Sequence, residues 1–118
     1  MYDHVGLKVK DLEESIKFYT AALAPLGYAP GSSDAASAGF SAEDGSSFWL
    51  YVGGAAGEAH VAFGAAERTA VDGFHRGGKA AGGRDNGKPG VRKDYSPNYY
   101  AAFLIDPDGN NIEAVCMS

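Results

Sequence analysis

Apolar and polar residues alternate over residues 2–9, with Val5, Leu7 and Val9 on one side and His4, Gly6 and Lys8 on the other. The chain therefore opens on a half-buried strand whose polar face carries His4. Asp11 followed three residues later by Glu14 is a capping-box pattern. Leu12, Ile16, Tyr19 and Leu23 then recur at helical spacing until Gly27, which predicts a helix lying on the strand's apolar face. Three short strands are expected next, near residues 28–30, 38–42 and 47–52, separated by Gly, Ser and Asp. The order then starts again. A strand at 59–64 sets Val61 and Phe63 against His60, a helix from about 67 to 81 turns Val71 and Phe74 inward, and further strands end in 99–105 and 111–117. The second helix is the weaker one, because Gly73, Gly77 and Gly78 each cost roughly 1 kcal/mol relative to Ala.

The recurrence extends to single residues. Setting His4 on His60, a shift of 56 (60 minus 4), puts Val5 on Val61, Leu7 on Phe63, Asp11 on Glu67, Phe18 on Phe74 and Gly27 on Gly83 without a gap. The strand that closes each half repeats at a shift of 64 (108 minus 44), residues 44–49 against 108–113, so Trp49 stands where Glu113 stands. The extra residues fall between the second helix and the seventh strand, where 87–97 reads as an enlarged loop. One domain over residues 1–118 thus consists of two modules, about 1–56 and about 57–118, each a strand, a helix and three strands.

The last two strands are joined by Asp106-Pro107-Asp108-Gly109-Asn110. Pro107 suits the first corner of a type I turn and Gly109 the left-handed position that completes a three-residue loop. That loop pairs Asp106 with Asn110, and counting back along both strands sets Phe103 across from Glu113 and Ala101 across from Val115, with Tyr99 on the Glu113 face.

These faces hold the candidate chemistry. His4, His60 and Glu113 all turn away from the apolar side, and Gly6, Ala62 and Gly64 leave room beside the imidazoles. Two neutral imidazoles and a carboxylate suffice to bind a divalent ion while leaving positions open. Trp49 is expected on the same side, where an indole is no ligand but closes off a fourth protein position and, with Phe103 and Tyr99, forms an apolar wall. Tyr95 clusters near the same cavity, and Arg92 in the long loop offers a cation to an anionic substrate group. His75 falls at the place of Tyr19 and reads as structural or exposed. Cys116 falls on the face opposite Glu113, which argues against a nucleophile there.

Composition narrows the partners. A net charge of −5 with scattered Lys and Arg argues against nucleic acid or an anionic membrane, because such binding needs clustered positive charge. One cysteine makes no internal disulfide, and no stretch approaches the ~20 apolar residues of a membrane span; a cytoplasmic protein with a small-molecule substrate is expected.

Asp3-His4-Val5-Gly6-Leu7, Ala59-His60-Val61-Ala62-Phe63 and the run from Asp106 to Glu113 resemble the first-strand, fifth-strand and terminal-hairpin motifs of the vicinal oxygen chelate superfamily. That group includes glyoxalases, extradiol dioxygenases, fosfomycin-resistance transferases and bleomycin-binding proteins. The resemblance runs the length of the chain. It implies an α+β fold in which two βαβββ modules form a curved mixed sheet around a central cavity. It further implies one divalent metal ion (Fe, Mn, Ni or Zn) held by His4, His60 and Glu113, with Glu113 as the catalytic residue, and a substrate chelated through neighbouring oxygens. A homodimer is expected, with the ligands of one site drawn from one chain or from two. The sequence also departs from the best-known members. Trp49 stands where glyoxalase I usually supplies a carboxylate, and Phe103 where extradiol dioxygenases carry a tyrosine, while the three ligand positions that bleomycin-binding members lack are kept. The rival reading is a metal-free small-molecule binding or sequestering protein on the same fold.

Overall fold

The computed structural model describes residues 3–53 and 59–118; the expected module boundary near residue 56 and the strand start at Tyr2 lie outside the described residues. The first module runs β1 (His4–Val9), α1 (Leu12–Leu23), a 3-10 turn (Ala24–Leu26), β2 (Ala29–Ser33), β3 (Ser37–Ser41) and β4 (Ser47–Val52). The second runs β5 (His60–Gly64), α2 (Arg68–Ala80), β6 (Arg84–Val91), β7 (Tyr100–Ile105) and β8 (Asn111–Cys116). Asp11 caps α1 by accepting from the Glu14 backbone N–H at 3.1 Å, and Gly27 closes the 3-10 turn at φ 93°.

Both modules build the same four-stranded sheet, in the orders β1-β4-β3-β2 and β5-β8-β7-β6. In each, the first strand pairs parallel with the last, and the remaining neighbours are antiparallel. The repeat holds rung by rung, since Gly6 pairs with Trp49 as Ala62 pairs with Glu113. The fold is the expected α+β pair of βαβββ modules. Among the described residues the strands form two separate four-stranded sheets, with β1 and β5 each at an edge.

One core joins the modules through their apolar faces. Leu7, Phe18, Tyr19, Phe40, Phe48 and Leu50 of the first meet Phe63, Val71, Phe74, Leu104 and Ile112 of the second, and the Phe48 and Phe63 rings stand edge to face at 5.2 Å. Because side chains alternate across a strand, the faces bearing His4 and His60 lie on the sides away from this core. The helices pack closely where α2 is poorest in side chains: a Cβ added at Gly77 would stand 2.7 Å from the Ala21 carbonyl oxygen.

The terminal hairpin has the expected register, with Phe103 opposite Glu113 and Ala101 opposite Val115, and Gly109 at φ 94°. A buried carboxylate anchors it, a role not evident from the sequence. Asp106 accepts from the Tyr19 hydroxyl at 2.5 Å, from the Asp108 and Asn110 backbone N–H groups at 2.9 and 2.8 Å, and from Asn110 Nδ2 at 2.9 Å. Asn110 Oδ1 in turn accepts from the Ala59 N–H at 3.1 Å, tying the hairpin to the start of β5. Burial first, and then the neighbouring Asp106, pushes the Tyr19 phenol well above its ordinary pKa.

Residues 87–97 are not the single enlarged loop expected. β6 continues to Val91 and absorbs extra residues in bulges between Asp85 and Gly87 and between Gly87 and Gly90, leaving only the turn after Val91 outside the ladder. Bulges keep pairing while adding residues, and an edge strand tolerates Pro89 because an edge N–H need not bond to a neighbour.

Candidate metal centre

On β5 and β8 the parallel register sets Ala62 beside Glu113, and the small methyl lets the His60 ring reach across. His60 Nε2 lies 2.9 Å from Glu113 Oε1, and Glu113 is only 2% exposed. The other carboxylate oxygen, Oε2, accepts a short hydrogen bond from the Tyr99 hydroxyl. Burial first, then that hydrogen bond to Glu113, pushes the Tyr99 phenol up to about 12. Phe103, the rung partner of Glu113 on β7, brings its ring to 6.4 Å from the His60 ring. The Arg92 guanidinium lies 5.5 Å above the Phe103 ring and is held there by the carbonyls of Gly90 (3.0 Å) and Lys88 (2.6 Å). Tyr95 meets the Tyr99 ring edge to face at 4.9 Å.

Six of the eight expected site residues thus gather on one sheet face: His60, Glu113, Tyr99, Phe103, Arg92 and Tyr95. His4 and Trp49 do not join them. They share the polar face of the other sheet, where His4 is level with Ser47 and Trp49 with Gly6. His4 is exposed, with Nδ1 at 2.9 Å from Asp3 Oδ1. The Trp49 indole lies flat over Gly39, where a Cβ would be 2.7 Å from the ring, and its N–H donates to Ser47 Oγ at 3.2 Å. Trp49 stacks at 6.3 Å on Tyr51, whose ring covers Gly6 in the same way. Sequence reasoning passed over Tyr51, although alternation from Trp49 places it on this face. Among the described residues no three His, Cys, Asp or Glu side chains of one chain are grouped so as to hold a metal ion.

The donor chemistry nevertheless suits a divalent ion, with the donors divided between the two sheets. His60 Nε2 and the Glu113 carboxylate converge, and the mixed imidazole and carboxylate set suits Fe, Mn, Ni or Zn. With Nδ1 engaged by Asp3, His4 keeps Nε2 for a ligand, the arrangement in which a carboxylate orients a metal-binding imidazole. Other reactive side chains of the second module are structural. His75 is buried and bonded to Asp85 at 2.8 Å, which holds that carboxyl below its usual range; the Tyr100 hydroxyl donates to Asp72 at 2.6 Å; Cys116 lies in the core.

Residues 2–114 match the family model described as the Glyoxalase/Bleomycin resistance protein/Dioxygenase superfamily. Among solved structures, a glyoxalase/bleomycin resistance protein from Albidiferax ferrireducens is 32% identical over 99% of this chain and 98% of its own, with a TM-score of 0.86. A putative glyoxalase from Bacillus halodurans is 27% identical over 98% of this chain and 95% of its own (TM-score 0.73). A glyoxalase-related enzyme from Fulvimarina pelagi, 20% identical over 98% of this chain and 87% of its own (TM-score 0.75), shares the fold. No curated protein matches.

Proposed function

Since the chain belongs to the glyoxalase/bleomycin resistance protein/dioxygenase superfamily, we propose that it is a divalent-metal-dependent enzyme whose site is completed between two copies of the chain. Members commonly bind a divalent metal, although the superfamily also includes proteins that are not enzymes. The observation that carries this reading is the His60–Glu113 pair, a buried carboxylate and an imidazole converging on the polar face of one sheet, with His4 on the matching face of the other. Within one chain those faces point away from the common core. A symmetric dimer that sets edge strand β1 of one protomer beside edge strand β5 of the other brings His4 of one chain to His60 and Glu113 of its partner, and makes two equivalent sites.

When bound, the divalent ion supplies Lewis acidity to the chelated oxygens of the substrate. The chain's own residues do the rest. Phe103 and Trp49 present apolar surface and exclude water, Arg92 offers positive charge at the rim, and Tyr99 brings a phenol to the Glu113 face where Phe103 has none. This suits a small molecule with an apolar body and a chelating polar end. Elemental analysis tests the reading: full-length protein reloaded in turn with Fe, Mn, Ni and Zn is expected to keep about one ion of its preferred metal per chain. If none is retained stoichiometrically, and His4→Ala leaves the melting temperature unchanged, a metal-free binding protein is the better description.

A second expectation concerns Trp49, which occupies the rung that Glu113 occupies in the other module. Trp49→Glu is expected to tighten metal binding by about tenfold or more, since even the partners of a ligand contribute that much. Wild type is expected to turn over little of the hemithioacetal of methylglyoxal and glutathione. Robust wild-type turnover, or unchanged affinity in the variant, would show that Trp49 does not face the metal.

A further inference from the structure

The two oxygens of the Glu113 carboxylate are not equivalent. Oε1 meets His60 Nε2 at 2.9 Å, whereas Oε2 is taken by the Tyr99 hydroxyl. The rung neighbours of Glu113 offer its carboxylate no polar partner, being Ala62 on β5 and Phe103 on β7. Tyr99 is firmly held. Its carbonyl accepts from the Arg92 N–H at 2.7 Å, its own N–H donates to Ser96 at 3.3 Å, and the Tyr95 ring braces it edge to face. This turn belongs to the extra length by which the second module exceeds the first, where the corresponding rung carries Trp49 and no carboxylate needs holding.

We propose that Tyr99 is a positioning residue that restricts Glu113 to binding the metal through one oxygen: the phenol retains Oε2, and Oε1 is presented together with His60 Nε2. The inference rests on the metal reading above. Its consequence is a coordination count, because a carboxylate that binds through one oxygen leaves one more position for substrate than a carboxylate that binds through both. A substrate that chelates through two oxygens needs that room. Tyr99 acts through Glu113 and touches neither metal nor substrate in this scheme.

Cobalt(II) reports both quantities, affinity by calorimetric titration and coordination number by the intensity of its d–d absorption. In full-length Tyr99→Phe, which keeps the ring against Tyr95 and removes only the hydroxyl, cobalt binding is expected to weaken by about 10- to 100-fold, the range for losing a partner of a metal ligand. The d–d bands are expected to lose intensity as Glu113 becomes bidentate and the coordination number rises. Tyr95→Leu, which removes the brace and leaves the hydroxyl, is expected to weaken binding by a smaller factor, and carries the test alone should Tyr99→Phe not fold. Wild type that binds cobalt alongside a Tyr99→Phe protein of equal affinity and identical spectrum overturns this inference only. Wild type that binds no cobalt overturns the metal reading and this inference together.

Discussion

Neither the His4→Ala protein nor the Glu113→Gln protein is expected to retain metal, yet the two refolded together in equal amounts are expected to recover it. In a two-fold dimer with shared sites, the mixed dimer has one intact site, built from His4 of the Glu113→Gln chain with His60 and Glu113 of the His4→Ala chain. Random pairing makes about half the dimers mixed, each with one of two sites restored, so the mixture should hold about a quarter of the wild-type metal content. A site contained within one chain gives no recovery at any ratio. Metal-loaded wild type without recovery in the mixture would therefore place the site within a single chain, and sedimentation showing only monomer at micromolar concentration would remove the dimer itself.

The second large effect is on stability. Asp106→Ala strands the Tyr19 hydroxyl, two backbone N–H groups and the Asn110 amide, all of which bond to that carboxylate at 2.5 to 2.9 Å. Each buried group left unsatisfied costs about 1–3 kcal/mol, although some of these donors will reach water in the variant; a net loss of about 3 kcal/mol or more is expected. For a domain of this size that lowers the melting temperature by roughly 10 °C. Tyr19→Phe, which leaves the other three donors bonded, should cost about half as much or less. Calorimetry on the two variants decides the matter, and an Asp106→Ala protein that melts with wild type would mean the hairpin is held by packing alone.

Much of this architecture was legible because strands and hairpins are governed by local rules. Alternation placed His4, His60, Trp49 and Glu113 on polar faces, and the turn chemistry of Pro107 and Gly109 set the rung joining Phe103 to Glu113. By the same count Tyr99 was placed on the Glu113 face, where its hydroxyl indeed meets the carboxylate. Besides the anchoring role of Asp106, two larger features were not legible. The run Asp85-Asn86-Gly87-Lys88-Pro89-Gly90 has the composition of a turn, yet all of it lies in β6, because an edge strand with bulges makes few demands on side chains. The way the modules meet was also hidden: each has one apolar and one polar face, and periodicity cannot say that Phe48 finds Phe63 within the same chain while His4 and His60 end up on separate faces.

The helix glycines bear on how this protein could be made more heat-resistant. Replacing glycine by alanine inside a helix is a common route to a sturdier variant, worth about 1 kcal/mol per site on an isolated helix. In α2 that route is closed where it looks most inviting. A methyl at Gly77 would stand 2.7 Å from the Ala21 carbonyl oxygen of α1, and one at Gly78 only 2.3 Å from Leu104 Cδ1. The local gain would be offset at Gly77 by prising α1 from α2, and at Gly78 by displacing the buried Leu104 side chain. Selection for thermal tolerance in this chain is therefore expected to leave Gly77 and Gly78 alone and to act on the loops and the solvent-facing side of the helix instead.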